Sequence, residues 1–430
     1  MTRSWMARTG RRWLLGIVPA AACWGLLIAG PAKGGEGDAY GVGPMVWAGE
    51  AAVAQPPAAK PSPGVKKEPL PTQPLRPAPF APEEPFIPPP APRSPLLDLA
   101  SVPNMFGDAF NQGGQLEATG YDLSPLVDLP LAGAARRIKI AENNKALPMD
   151  RVYFMYNHFH NALEANPDVN TPGLGRGFSV DRYTLGLEKT LRDGLWSIDL
   201  RMPFCGSYRV AAPDFAASGG EIGNLSLAAK RLLFATEGAA GVLGLAIDTP
   251  TGSNATGFLD TTSFVVHNDA VHLAPFLGLL LAPNDDWFCH AFLQIDVPAS
   301  GNRVDLTEGN PGQTTSLGRL HEQTLMYLDV SAGYWILRNP QSTLSGLAAL
   351  VEFHHTTTQQ DADLVSGATS GAAFTFGNLL NRVDVPNLTV GLHAEINGRS
   401  ELRVGGVFPL NDPPERAFDA ELQISFNRRF

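Results

Sequence analysis

Two histidine pairs are the residues whose type and spacing first invite a chemical reading: His158-Phe159-His160 and His354-His355. Alternate residues of a strand share a face, so His158 and His160 could offer two imidazoles to one metal ion. Histidines at a strand end account for the pair equally well. No Gly-x-Ser-x-Gly occurs, and no Ser/His/Asp set is assignable. Gly173-Leu174-Gly175-Arg176-Gly177 lacks the strand-to-helix setting that a phosphate loop needs. Cys205 and Cys289 are too few for a disulfide framework and lack metal-type spacing. These residues point to no enzyme, no cofactor and no metal.

The charged residues carry more information, because many alternate with apolar ones. Trp196, Ile198, Leu200, Met202 and Phe204 alternate with Ser197, Asp199 and Arg201. Leu388, Val390, Leu392, Ala394 and Ile396 alternate with Thr389, Gly391, His393 and Glu395. Phe418, Ala420, Leu422, Ile424 and Phe426 alternate with Asp419, Glu421, Gln423, Ser425 and Asn427. Period two is the strand signature, and each run matches the roughly nine to eleven residues a tilted strand needs to cross a bilayer. If the apolar face meets lipid, the other faces a lumen. The candidate lumen-lining residues are then Arg182, Glu188, Asp199, Arg201, Lys230, Glu352, Glu395, Arg403, Asp419 and Glu421, with Asp248, His290, Asp296, Asp329 and His393 in the same inward set. Such a mixed-charge interior suits a water-filled channel, or a lumen closed by ion pairs and an inserted segment.

The elements that must position them begin at Arg151. About twelve strands are expected, near 151–160, 178–190, 195–204, 222–234, 240–249, 264–281, 286–298, 322–337, 343–355, 387–397, 400–410 and 417–430. Their connections alternate in length. The short ones, such as Leu191-Arg192-Asp193-Gly194 and Asn397-Gly398-Arg399, carry hairpin chemistry. The long ones are Ala162 to Gly177, Cys205 to Gly220, Thr251 to Ser263, Ala299 to His321 and Thr356 to Pro386. Short periplasmic turns and longer outer loops mark a membrane barrel, and an even strand count puts both termini in the periplasm. The expected fold is all-β: a closed antiparallel transmembrane β-barrel. A soluble β-sandwich would alternate similarly, but it leaves the alternating loop lengths unexplained. Backbone groups left unpaired in hydrocarbon cost several kcal/mol each, which excludes an open edge. Trp196, Phe204, Phe234, Trp287, Trp335, Phe408 and Phe430 stand near strand ends, where aromatic girdles belong.

Before the barrel the chain changes character. Net charge is −10, so nothing suggests nucleic acid as a partner. Arg3, Arg8, Arg11 and Arg12 precede the apolar run Trp13 to Ala29 and the small residues Gly30-Pro31-Ala32. Residues 1–32 therefore read as a cleaved signal peptide, with an uncleaved anchor helix as the alternative. Arg11-Arg12 resembles a twin-arginine signal, but that route carries folded cargo and a barrel must cross unfolded. Residues 33–95 read as a disordered periplasmic linker, Pro-rich from Pro56 to Pro95. Proline fixes φ and lacks a donor, so this tract can join neither sheet nor helix. Residues 96–150 hold short apolar stretches broken by Gly and Pro. They read as an irregular segment and a candidate lumen plug.

Tyr183-Thr184-Leu185-Gly186-Leu187-Glu188, Gly194 to Phe204, Gly223-Asn224-Leu225-Ser226-Leu227 and Asp248-Thr249-Pro250-Thr251-Gly252 are similar to outer-membrane barrels of the phenol meta-pathway degradation family. The Pro-rich region, with Met105-Phe106-Gly107-Asp108 and Arg151-Val152-Tyr153-Phe154 after it, resembles exported barrels of planctomycete-type bacteria. The terminal strand, with Leu422, Ile424, Phe426 and Phe430 on one face, resembles the signal that barrel-assembly machinery recognises. The resemblance implies an outer-membrane location and passive passage of small or hydrophobic solutes, and it supplies no site residues. The implied partners are outer-membrane lipids, the barrel-assembly machinery and an unknown small solute. The alternative is a structural or surface-binding barrel without transport.

Overall fold

The computed structural model describes residues 99–108, 114–120, 126–130, 132–133, 137–166, 175–206, 208–212, 214–309, 312–413 and 415–430. The expected signal peptide and Pro-rich linker lie outside the described residues.

The chain forms a hairpin of β1 (Gly114–Thr119) and β2 (Leu126–Leu129), then β3 (Arg151–Asn166), β4 (Arg176–Leu191) and β5 (Trp196–Gly206). A small hairpin, β6 (Arg209–Ala212) and β7 (Phe215–Ser218), precedes β8 (Ser226–Ala235) and β9 (Ala239–Asp248). A second, β10 (Ala255–Leu259) and β11 (Thr262–Val266), precedes β12 (His272–Leu281) and β13 (Trp287–Pro298). A third, β14 (Asn302–Glu308) and β15 (Gln313–Leu320), precedes β16 (Leu325–Arg338) and β17 (Leu344–Thr358). A fourth, β18 (Leu364–Ala368) and β19 (Ala373–Gly377), precedes β20 (Asp384–Ile396), β21 (Ser400–Pro409) and β22 (Ala420–Arg429).

Twelve of these strands close into an antiparallel barrel in the order β3-β22-β21-β20-β17-β16-β13-β12-β9-β8-β5-β4, with β4 pairing back onto β3. Two registers seal the ring: Phe426 opposite Phe154, and Tyr156 opposite Tyr183. Every wall strand then has both ladders filled, as a sheet in hydrocarbon requires. At one end the turns are tight. Arg192, Asp193 and Gly194, and Asn397 with Gly398, all adopt positive φ, which suits Asp, Asn and Gly and matches the strand twist. At the other end four of the long connections carry short strands of their own. These form a six-stranded sheet, β15-β14-β11-β10-β7-β6, and, with β1 and β2, the extension β18-β19-β1-β2 that leads onto β3. The two pack against each other around one apolar cluster, where Phe264 meets Phe376 edge-on at 5.4 Å.

One run expected to be a single strand, 264–281, divides in two. Thr262–Val266 belongs to the outer sheet and His272–Leu281 to the barrel. The polar pair between them causes the break. The Asn268 side chain bonds Asn224 and Gly252, and the Asp269 N–H donates to Asn302 Oδ1 at 2.9 Å. Side-chain bonds of this kind draw the backbone out of a ladder.

Burial is inverted relative to a soluble protein. Leu185, Leu200, Leu243, Leu277, Val351, Leu392, Val404 and Leu422 are exposed on the outer wall, while Arg151, Arg182, Arg201 and Arg403 are among the most buried side chains. An apolar exterior around a charged interior is the pattern a bilayer solvent selects. At the tight-turn end Trp287 packs on Tyr334 at 4.9 Å, Arg231 lies over Trp196, and Lys189 lies over Phe430. Amphipathic rings and snorkelling cations of this kind suit a membrane interface. Trp335 departs from the expected girdle. It points inward on β16 and packs on Phe288, because its parity in the strand is that of the buried set.

Candidate functional site: the occupied lumen

The segment before β3 passes through the ring twice. Residues 99–108 ascend from the tight-turn end, where Arg429 Nη1 donates to Ala100 O at 2.8 Å. Higher up, the Phe106 and Gly107 N–H groups both donate to the Glu352 carboxylate at 2.8 Å. Asn387 Nδ2 then donates to Asp108 at 2.7 Å. After the outer hairpin β1–β2, residues 137–150 descend. Arg137 reaches Glu322 near the top, and Thr190 N–H donates to Asp150 at the bottom. The two passes run antiparallel and touch through a bridge of Met105 with Asn144. Their approach is close: a Cβ on Gly107, whose φ is +73°, would lie 2.7 Å from Glu142 Cα. Only glycine fits there.

Wall charges hold this segment on one arc. Arg151 and Arg403 both bond Asn143, through its carbonyl at 2.6 Å and its side-chain oxygen at 2.7 Å. Arg182 pairs with Glu142, and Arg201 Nη1 donates to Lys139 O at 3.3 Å. Lys230 donates to Asn144 Oδ1, Lys145 O and Leu147 O, and pairs with Glu188 at 2.9 Å. Of the ten residues expected to line the lumen, Arg182, Glu188, Asp199, Arg201, Lys230, Glu352, Arg403 and Glu421 are buried inside the ring. Glu395 is half-buried near the tight-turn end, paired with Arg429. Asp419 does not line the lumen. It precedes β22 at the outer rim, exposed and paired with Arg416 at 2.8 Å, because the strand begins one residue later. Leu422, Phe426 and Phe430 are exposed on the outside of the wall, with Ile424 half-buried beside them. His158 and His160 both stand on the outer face of β3, His158 bonded to Asp181 at 2.8 Å and His160 to Ser179 at 3.4 Å, whereas His354 is buried in the lumen and His355 is on the outer face.

The opposite arc, β9 to β17, is apolar over its half nearer the tight turns. Leu99, Val102, Met105, Phe106, Ile140 and Leu147 pack against Val242, Phe276, Leu280, Phe288, Phe292 and Trp335. Strict alternation conceals this, but β9 and β12 do not alternate: Ala-Ala-Gly-Val-Leu-Gly-Leu and Leu-Gly-Leu-Leu-Leu are apolar on both faces. A strand apolar on both faces is covered on both faces, here by lipid outside and by the inserted segment inside. Phe106 also seats on the other arc, over Gly391 and Gly405, with the Arg403 guanidinium 4.2 Å from its ring centre.

A charge cluster joins both passes to the wall. Lys139 Nζ pairs with Asp108 and with Asp329 at 2.9 Å, and His354 Nδ1 bonds Asp329 at 2.8 Å. Asp108, Asp329 and His354 bring ligand-type atoms within 4.8 Å of one another, but the Lys139 ammonium already supplies a cation to both carboxylates. The residues that sequence reasoning passed over are therefore Asp108, Lys139, Glu142 and Asn143, all in the irregular stretch. Charged and amide side chains between short apolar runs are the signal that could have marked them.

Above this, at the outer rim, a cavity of about 510 Å³ lies beside β3. Its polar side carries Asp128, Glu164, Glu415, Arg416 and Asp419, and Leu380, Val383 and Val385 form its apolar side. Burial pushes the Asp128 carboxyl up to about 6, although it accepts the Glu164 N–H at 2.8 Å.

No protein-family profile and no curated protein matches the chain. Among solved structures, the chain is similar to an outer membrane channel from Pseudomonas putida F1 (12% identity, 66% of this chain and 97% of that chain, TM-score 0.40). It is also similar to the β domain of the Bordetella autotransporter BrkA (11%, 74% and 100%, TM-score 0.36). A third is the Pseudomonas putida toluene transporter TodX (10%, 66% and 90%, TM-score 0.35).

Proposed function

We propose that the chain is an outer-membrane channel for passive passage of small solutes, held closed by residues 96–150 as a plug. One observation carries this reading: a closed ring whose exterior is apolar and whose interior is charged, with an inserted segment rather than a second sheet meeting those charges. A soluble sandwich has no use for buried arginines around an inserted irregular segment. The plug is held by hydrogen bonds and ion pairs to both arcs and by apolar packing against the lower half of one, an arrangement that can be exchanged for water and solute. Twelve strands enclose a narrow lumen, well below the roughly sixteen to eighteen of wide aqueous pores. Passage is therefore selective. The outward face of Leu422, Ile424, Phe426 and Phe430 serves assembly, as the element read by the barrel-assembly machinery, and residues 1–32 direct export.

The outer sheet favours a second reading, a surface-binding barrel, because it builds its own apolar core at the end of the barrel. Planar-bilayer recording of the refolded protein separates the two. The channel reading expects step conductance that rises when residues 96–150 are deleted. A deletion variant that inserts into the bilayer and passes no current discards it.

A further inference from the structure

The acidic groups of the outer half of the lumen are met by cations from the plug. Asp248 on β9 and Asp296 on β13 lie at one level, joined through His272, which stands opposite Asp248 and bonds Asp296 at 2.8 Å. Arg137 of the descending pass lies 3.9 Å from Asp296 and 3.1 Å from Glu322. One level down, Asp329 on β16 and Glu352 on β17 surround His354, and Lys139 pairs with Asp329 and Asp108. The plug thus offers one side-chain cation to each acidic level. The match is incomplete: Asp248 Oδ1 and Asp329 Oδ2 are buried and accept no hydrogen bond, and both residues are at most 5% exposed. On the other arc three of the five buried wall cations have wall carboxylates as partners, while Arg182 pairs with the plug's Glu142 and Arg403 bonds the plug's Asn143. Arg151 and Lys230 share Glu188, each at 2.9 Å, and Arg201 pairs with Asp199 at 3.0 Å. Over the whole wall, buried carboxylates outnumber buried Lys and Arg. The cavity at the outer rim has the same sign, with Asp128, Glu164, Glu415 and Asp419 against Arg416 alone.

We infer that Arg137 and Lys139 are tethered counterions standing where a solute's positive charge passes, and that the channel selects cations and amine-bearing solutes over anions. An acidic lumen of low dielectric concentrates cations and repels anions before any specific contact is made. This rests on the channel reading above and names its substrate class.

The test is the reversal potential of the full chain in a planar bilayer under an asymmetric KCl gradient, with liposome swelling in lysine hydrochloride and in sodium glutamate alongside. Potassium is expected to pass roughly threefold or more readily than chloride, and lysine faster than glutamate. Arg137→Gln with Lys139→Gln frees the carboxylates and should raise both conductance and potassium preference. Asp248→Asn with Asp296→Asn should bring the preference close to unity, in protein whose circular dichroism shows the barrel intact. If the second pair fails to fold, Asp128→Asn with Glu164→Gln at the rim should lower the lysine swelling rate alone. Clear conductance with chloride preferred, or with no preference in the parent protein, overturns the inference and leaves the channel standing. If the parent passes no current, the same reversal potential is read on the plug-deleted chain, and a deleted chain that also passes none overturns the channel reading, and the inference with it.

Discussion

Glu352 is the residue on which the ascending pass hangs. Its two oxygens accept the adjacent N–H groups of Phe106 and Gly107, and they are out of water. Glu352→Gln keeps the shape but turns one acceptor into a donor facing an N–H. A buried donor left unsatisfied costs about 1–3 kcal/mol. The expected outcome is faster hydrogen exchange at Phe106 and Gly107 with the wall amides unchanged, and equal slowing everywhere would sink the idea. Lys139 is the counterpart on the descending pass. Neither residue was equally visible in the sequence. Glu352 stands between Val351 and Phe353, and with those two turned outward, strand parity turns it inward. Lys139 sits in a stretch with no period, so only the fold could show that it meets Asp329.

The wall strands were legible because lipid demands period two, and β5, β20 and β22 obey it. The outer hairpins were not, because β6, β7, β10 and β18 are four or five residues long and their apolar face is completed by other connections. Two outcomes belong to these elements. Val351, exposed at the centre of β17, reports the surroundings of the wall. Val351→Arg should cost about 2–4 kcal/mol in lipid, read as a lowered folding free energy in vesicles, whereas a wall in water would tolerate it. Asp128, in the outer hairpin, reports pH. Burial raises its carboxyl from 3.8 to about 6, so the folded hairpin holds the proton more tightly than the unfolded chain does. Hairpin stability is therefore full below pH 3.8, falls as pH rises through about 6, and is flat above. Asp128→Asn should abolish that slope in proteolysis of residues 114–129, and a slope unchanged in the variant would exclude Asp128 as its source.

The molecule as a unit is a barrel stabilised by its own occupant. Leu99, Met105, Phe106, Ile140 and Leu147 are buried against the wall, and each such side chain contributes about 1.5–3 kcal/mol relative to exposure. Deleting residues 96–150 should therefore lower the unfolding temperature in detergent while it raises conductance. Equal stability with and without the segment would mean that the packing contributes nothing. On the proposed channel reading, the matched charges and dry contacts that hold the segment are those that opening would have to break.

Alternation, turn chemistry and loop lengths settle the wall, because each depends on neighbours a few residues apart and on the solvent the strand meets. Strand number, the inward parity of the regularly alternating strands and the tight turns at 192–194 and 397–398 follow from these alone. What fills the ring does not. The side chains of Asp108, Lys139 and Asn143 find their partners from 31 to 284 positions away along the chain. Their pairing exists only once the barrel has closed and two irregular passes have been brought between its walls.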